Sequence, residues 1–366
     1  MSRLQEVLPR RVDLRLLLLG LVLSGIGIAM VISTTSGTAR SDLGGRQAFF
    51  VLLGLIGASV LLVIDYRILL QYSPGIYGAM LLVLLYLPFF GKHIAGSKSW
   101  IKIGGGFQVQ PSELARLSIA LLLAWILEND DRALLRPRTV AALAAAVGVP
   151  ILLTLAQPDL GVAATYVPFF LTALFFGGLR TKWWALLIIS GTLLVGGSWF
   201  LLKDYQKDRI RTFLDPNLAA RGAGYQVRQA RIAIGSGGIL GKGWKKGSQS
   251  RLGFLPVRHT DFVFAALAEE WGFVGVAAVV GLYGLFLSRG LSLARDARDR
   301  GGSMLVLLCV LDIMAQALGN IAMNVGLLPT TGITLPFISY GGSSMIATWG
   351  MVGLMLSVAY RRFVNV

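Results

Sequence analysis

Charge is scarce in this chain: only 14% of its 366 residues are Asp, Glu, Lys or Arg, and the mean hydropathy is +0.69. A polypeptide so poor in charge cannot cover a large soluble domain with solvated side chains, so its apolar stretches are read as membrane spans. Cysteine is nearly absent. Cys309 stands alone, which excludes a disulfide framework and a thiolate metal site. Histidine is limited to His93 and His259, too few for a His-rich metal centre. A nucleotide signature is missing as well. In Gly235-Ser236-Gly237-Gly238-Ile239-Leu240-Gly241-Lys242-Gly243-Trp244, Gly235 lies one residue too far from the Gly-Lys pair for a phosphate loop, and Gly243 stands where Ser or Thr is required. No nucleotide cofactor is expected.

What the chain does have is apolar length. Windows sufficient to cross a bilayer lie near 14–34, 47–64, 74–90, 112–127, 139–156, 160–178, 183–202, 262–288, 303–327 and 342–360. The expected fold is an all-α polytopic membrane protein of about ten spans, a single domain over 1–366. Pro158 divides the fifth window from the sixth, because the residue before a proline is pushed out of the helical region. The first window follows Arg10 and Arg11 as a signal peptide would, but its apolar core is too long and no cleavage pattern follows, so it is read as a retained span. With the N-terminus cytoplasmic, the inside segments carry 16 Lys and Arg and the short outside segments 5, which sets the orientation. Both termini are then cytoplasmic, and the only long polar stretch, 203–260, is external.

That loop holds twelve Lys and Arg against three Asp over 203–258, a field that concentrates an anionic ligand. It has no aromatic ladder and lies on the wrong side for nucleic acid. The glycine run reads either as a tight turn whose amides, with Lys242, Lys245 and Lys246, meet a phosphate, or as a surface loop that needs positive φ. Tyr225, Arg228, Gln229 and Ile232 recur at helical spacing and suggest an amphipathic helix on the outer leaflet. At the loop's end Asp261 meets the eighth span. It is either an N-terminal cap, a role Thr260 could share, or a general base or metal ligand at the membrane lip. Glu269 and Glu270 follow about 12–14 Å deeper along a helix and are read as structural, paired to a neighbouring span. Glu113 and Arg116, three apart, read as an intrahelical pair supporting a cavity. Asp159 defaults to a cap. Asp312, Gln316, Asn320 and Asn324 form a polar stripe suited to interhelical hydrogen bonds. The Pro- and Gly-punctuated stretch 328–344 should line a wet, protein-enclosed cavity.

Several blocks together resemble the SEDS family of bacterial cell-wall polymerases: Gln110-Pro111-Ser112-Glu113, Gln157-Pro158-Asp159-Leu160-Gly161, Phe213-Leu214-Asp215-Pro216, Gly222-Ala223-Gly224-Tyr225-Gln226, Gly241-Lys242-Gly243-Trp244, His259-Thr260-Asp261-Phe262, Glu269-Glu270, and Leu335 through Ser344. Arg258, Ala268 and the Gly241–Trp244 block are more similar to the elongation branch than to the division branch. Val257, Ser99, Arg116 and Thr334 depart from the pattern, where Glu, Arg, Lys and Pro are usual.

The resemblance implies an inner-membrane peptidoglycan glycosyltransferase acting in cell elongation, with its active site on the external face. Its partner would be a class B penicillin-binding protein that performs transpeptidation. Lipid II would be polymerised with inversion, Asp261 acting as general base. Lys242, Lys245, Lys246, Arg209, Arg211 and Arg258 are the candidates for holding pyrophosphate, and Asp159, Gln226 and Ser343 join them as substrate-binding candidates. A divalent cation, Mg or Mn, held by Asp261 is the candidate cofactor. The rival readings are a lipid II flippase or transporter, a division polymerase, and a scaffold that only recruits the partner.

Overall fold

The computed structural model describes residues 12–38, 40–94, 97–104, 107–130, 132, 134–198, 207, 211, 213, 223–255 and 257–362. Its helices are α1 Leu14–Thr35, α2 Leu43–Val63, α3 Tyr66–Gln71 and α4 Ser73–Phe90. After a small sheet come α5 Pro111–Glu128, α6 Pro137–Ala156, α7 Leu160–Thr165, α8 Val167–Gly177 and α9 Thr181–Ser198. The large loop contributes α10 Ala223–Gly237 and α11 Ser248–Arg251, and the chain continues through α12 Val263–Arg295, α13 Arg300–Val325 and α14 Gly342–Arg361. Helix thus occupies the described part of each apolar window, and among the described residues eight helical segments are long and apolar enough to cross a membrane. The other two are α5, with its Glu113, Arg116 and Glu128, and α9, which opens Thr181-Lys182-Trp183-Trp184. The chain is an integral, mostly helical membrane protein.

The helix starts follow local chemistry. Carboxylates of Asp13, Asp65, Asp159 and Asp299 accept amides in the first turns of α1, α3, α7 and α13, and proline opens α4, α5, α6 and α8. One element departs from an all-helical reading: β1 Lys92–Ile94, β2 Ser97–Gly104 and β3 Phe107–Val109 form an antiparallel sheet in the order β1-β2-β3, with Lys92 opposite Trp100 and Ile101 opposite Val109. Ser97 and Ser99 point inward and Lys98 outward, the alternation of a strand.

At the centre, α14 is buried along nearly its whole length. It lies against α2 through small residues: a side chain on Gly54 would meet Trp349, and one on Gly353 would enter the backbone at Ala58. Such contacts let membrane helices approach closely. Basic residues tie together the bundle end away from the large loop. Arg289 binds Asp13, Arg67 reaches Asp299 at 3.1 Å, and Arg361 reaches Asp65 at 3.3 Å.

The eighth window is not one helix. Gly272, at φ 64° and ψ −164°, interrupts α12 in a region open essentially to glycine alone. The break strips intrahelical partners from neighbouring backbone groups, and the glycine run of the large loop replaces them. Lys242 N donates to Glu269 O at 3.0 Å, Gly243 N to Glu270 O at 2.9 Å, Phe273 N to Gly238 O at 2.9 Å and Val274 N to Ile239 O at 3.1 Å. The exchange needs backbones in near contact, and a Cβ on Gly272 or Gly241 would collide with the facing chain. Gly272→Ala should therefore cost about 3 kcal/mol or more. A large fall in the thermal unfolding midpoint of the detergent-purified protein is the expected result; an unchanged midpoint would mean the docked loop tolerates displacement.

Candidate active site

A cavity of about 470 Å³ opens at the bundle end that carries the large loop. It collects residues from four distant stretches: Gln110 and Glu113 at the start of α5, Asp159 and Gly161 at the start of α7, Thr260 and Asp261 before α12, and Thr331 to Ser344 before and within the first turn of α14. Ser97 and Trp100 of β2 complete the wall. Among the described residues its carboxylates are Asp261, Asp159 and Glu113, and no Lys or Arg lines it.

Asp261 is held by its backbone. The side-chain amides of Asn320 and Asn324 both donate to its carbonyl at 3.0 Å, and both asparagines are fully buried. Asp261 does not cap α12, contrary to one expectation: the N-cap residue is Phe262, which makes no side-chain cap bond. The amide of Ala265 in the first turn is met by Asn324 Oδ1 at 3.2 Å. The cap is therefore supplied from another helix, which the local sequence could not reveal.

The 328–341 stretch is non-helical, as its prolines and glycines lead one to expect, and several of its backbone carbonyls accept from protein side chains. Asn320 Nδ2 donates to Ile333 O at 2.7 Å, Gln47 Nε2 to Ser339 O at 3.0 Å, and Tyr283 to Pro336 O. Ser339 Oγ donates to Thr260 O at 2.7 Å and Tyr340 N to His259 O at 2.8 Å, so this stretch and the Asp261 segment are fastened to each other.

Asp159 caps α7 as expected, through Val162 N at 3.1 Å, and its second oxygen accepts from Gln110 Nε2 at 2.7 Å. Ser343 Oγ accepts from Gln110 N at 2.8 Å. Gln110 therefore links two expected site residues, a role visible in the sequence only as part of its motif block. The Glu113–Arg116 pair is present at 3.3 Å. Arg116, fully buried, also faces Asp312 at 3.9 Å and donates to Gln316. The polar stripe of α13 is thus split, its first two residues meeting Arg116 and its last two holding Asp261.

The basic loop departs most from expectation. Lys242 Nζ meets Glu269 Oε1 at 2.7 Å, Ser236 Oγ at 2.7 Å and Ser248 Oγ at 2.8 Å, so its three donors are spent inside the protein. The Lys242 and Gly243 amides, expected to meet phosphate, donate instead to α12 carbonyls. Lys245 lays its ammonium 4.4 Å from the centre of the Trp244 ring, and its amide donates to Glu270 and Ser33. Lys246 is exposed. Glu269 is structural as expected, but its partners belong to the loop and not to a neighbouring span; Glu270 does reach a span, accepting from Ser33 of α1 at 2.6 Å. The helix expected around Tyr225 exists as α10, yet the face it buries is Ala230, Ala233 and Gly237, while Ile232 is 44% exposed. Lys242, Lys245, Lys246, Gln226 and Arg211 are not among the cavity's lining residues, and Arg209 lies outside the described residues.

The sequence pattern of a family described as Cell cycle protein, FtsW/RodA/SpoVE, matches residues 12–363. The chain belongs to that family. Among relatives of the FtsW/RodA/SpoVE family, the probable peptidoglycan glycosyltransferase FtsW of Thioalkalivibrio sulfidiphilus is 39% identical, the match covering 98% of this chain and 92% of that protein. The peptidoglycan glycosyltransferase MrdB of Escherichia coli is 36% identical over 91% of this chain and 90% of its own length. The crystal structure of the rod shape determining protein RodA from Thermus thermophilus aligns with a TM-score of 0.73 at 31% identity, covering 97% of this chain and 98% of that one. A chain from a peptidoglycan synthase complex that coordinates polymerization and crosslinking aligns with a TM-score of 0.83 at 33% identity, covering 97% and 99%.

The Lys242 contacts generate a direct test. Removing the ammonium leaves the carboxylate of Glu269, which is fully buried, without its counter-charge, a loss of about 3 kcal/mol. Lys242→Gln should lower the unfolding midpoint, and adding Glu269→Gln should restore part of it. A variant with wild-type stability and weakened substrate binding would return Lys242 to the ligand.

Proposed function

We propose that this chain polymerises lipid II into glycan strands, with Asp261 as general base. It is a peptidoglycan glycosyltransferase in the family sense that its relatives are named for, and the observation that carries the residue-level reading is the fixed placement of Asp261 in the carboxylate-lined cavity. Its backbone is clamped by two buried asparagines, and the helix-capping task falls to one of them. A carboxylate presented this way can take a proton within hydrogen-bond reach.

In the proposed reaction the acceptor sugar's 4-hydroxyl oxygen bonds to C1 of the donor sugar as its proton passes to the Asp261 carboxylate. The C1–O bond to pyrophosphate breaks, and the electron pair leaves on the pyrophosphate oxygen. Attack opposite the leaving group inverts an α-linked donor to a β-1,4 product. The acidic cavity suits the neutral, hydroxyl-bearing sugars. Gln110, Ser343 and Asp159 would orient them, and the Asn320–Asn324 clamp would keep Asp261 in line.

A divalent ion at Asp261 was the candidate cofactor. Among the described residues no group of three or more His, Cys, Asp or Glu comes together to hold a metal, and Asp159 accepts from Val162 N and Gln110. An ion at Asp261 would therefore draw its remaining ligands from substrate oxygens, with Asp261 as its protein carboxylate.

The cavity end would face the outside of the bacterial inner membrane and the arginine-rich end the cytoplasm, a reading supported by the excess of Lys and Arg in the inside segments. The partner would be a class B penicillin-binding protein. Its support is the likeness to a chain from a complex that couples polymerization to crosslinking. Relatives of both the FtsW and MrdB kinds match this chain, and the elongation role rests on Arg258, Ala268 and the Gly241–Trp244 block.

Purified protein given lipid II, with and without the partner, should make glycan polymer on a gel. Asp261→Asn should abolish the polymer while the unfolding midpoint stays near that of the wild type; polymer at the wild-type rate would remove Asp261 from the chemistry. Glu113→Ala should act differently, leaving the buried Arg116 short of one carboxylate and lowering stability by about 3 kcal/mol. A stable but inactive Glu113 variant would move that residue from the scaffold into the substrate cavity it lines.

A further inference from the structure

A second cavity, about 340 Å³, lies beside the first, and Val257 lines both. Among the described residues its polar lining comes from Thr34, Thr35, Thr38, Arg40, Arg258 and His259, with no Asp or Glu. The two cavities therefore differ in sign, one lined by carboxylates and the other by guanidiniums.

Among the described residues neither Arg40 nor Arg258 has a carboxylate partner, and the nearby Asp42 is taken by Arg46 at 2.7 Å. Arg258 is half-buried and spends only its Nε on the protein, donating to Thr34 O at 2.7 Å. That single bond fixes the guanidinium plane and leaves its other nitrogens for a ligand. The threonine hydroxyls are not donors to spare: Thr34 Oγ1 donates to Met30 O at 2.8 Å, Thr35 Oγ1 to Val31 O at 2.7 Å and Thr38 Oγ1 to Thr35 O at 2.7 Å. The pocket's recognition is therefore by guanidinium, which suits the oxygens of a phosphate group. His259 responds to the same field. Burial, with Arg40 and Arg258 close by, pushes its imidazole down to about 4.

We propose that this pocket binds the pyrophosphate of a polyprenyl-linked donor or product, with Arg40 and Arg258 as its two ligating side chains, separate from the lysines of the glycine run. The assignment rests on the glycosyl-transfer reading. It gives the two ends of the reacting bond opposite environments: the sugar meets carboxylates, and the leaving group meets Arg258, three residues before Asp261, together with Arg40. Charge that develops on the pyrophosphate oxygen would be stabilised there. The same oxygens could belong to an anionic phospholipid headgroup, so the test separates the two sources.

The full chain is placed in nanodiscs of phosphatidylcholine, with or without phosphatidylglycerol, and titrated with undecaprenyl pyrophosphate. Arg40→Gln should weaken binding about tenfold or more, with Arg40→Lys weakening it less. Arg40 is exposed, so this variant removes charge without removing a buried side chain. Arg258→Gln should weaken binding at least as much, its folding checked by thermal unfolding because the bond to Thr34 is lost. The chain has two histidines, so histidine-selective labelling gives a simple spectrum, in which undecaprenyl pyrophosphate should move the His259 titration to higher pH. Unchanged affinity in Arg40→Gln and in folded Arg258→Gln overturns the proposal. So does phosphatidylglycerol that by itself shifts His259 and excludes undecaprenyl pyrophosphate, which would make the pocket a headgroup site. Polymerisation of lipid II is followed in the same preparation. Polymer from the wild type together with unaltered binding in the variants rejects the pocket alone, whereas a wild type that binds undecaprenyl pyrophosphate but makes no polymer rejects the glycosyl-transfer reading.

Discussion

Two buried carboxamides on α13, Asn320 and Asn324, hold the carbonyl of Asp261, and Asn324 also meets the amide of Ala265 at the start of α12. Backbone groups at a helix start that is packed inside the protein must be paired there, since leaving them unpaired costs about 1–3 kcal/mol each. Asn320 binds Ile333 O as well. The start of α12 and the irregular stretch before α14 are therefore fixed relative to each other through one helix. Both segments line the cavity.

The same helix serves a different purpose further along. Asp312 and Gln316 lie against Arg116 of α5, which in turn pairs with Glu113 at the cavity wall. A fully buried guanidinium is costly without counter-charge, and this network brings it Glu113 and Asp312 from two helices, with Gln316 accepting from Nη1. One polar stripe thus positions the carboxylate proposed to act as base and braces the opposite wall of the cavity.

Charge in the large loop is divided between architecture and recognition. Its glycine run and Lys242 are consumed in docking onto the break at Gly272, where the close approach of two backbones excludes any side chain. The loop's basic excess is visible in composition, but a count of charges does not say which are neutralised by the fold. Lys242 is, whereas Arg40 and Arg258 line a cavity that has no acid among the described residues. The positive field relevant to an anion thus comes partly from Arg40, in the short connection between α1 and α2.

Much was legible from the sequence because its determinants are local. Spans follow from apolar length, their starts from Asp and Pro, and the irregular character of 328–341 from its prolines and glycines. Asp261, Asp159, Glu113 and Ser343 were identifiable as candidates from position and motif, and the cavity does bring them together. The β-sheet at 92–109 went unread because its alternation is short and interrupted. The capping of α12 by Asn324, the engagement of Lys242 by Glu269, and the buried face of α10 were decided only by tertiary structure. Each depends on which donor meets which acceptor across more than twenty residues of chain, or on which helix face finds a neighbour. A side chain's charge is written in the sequence, but whether a folded partner neutralises it is a matter of packing.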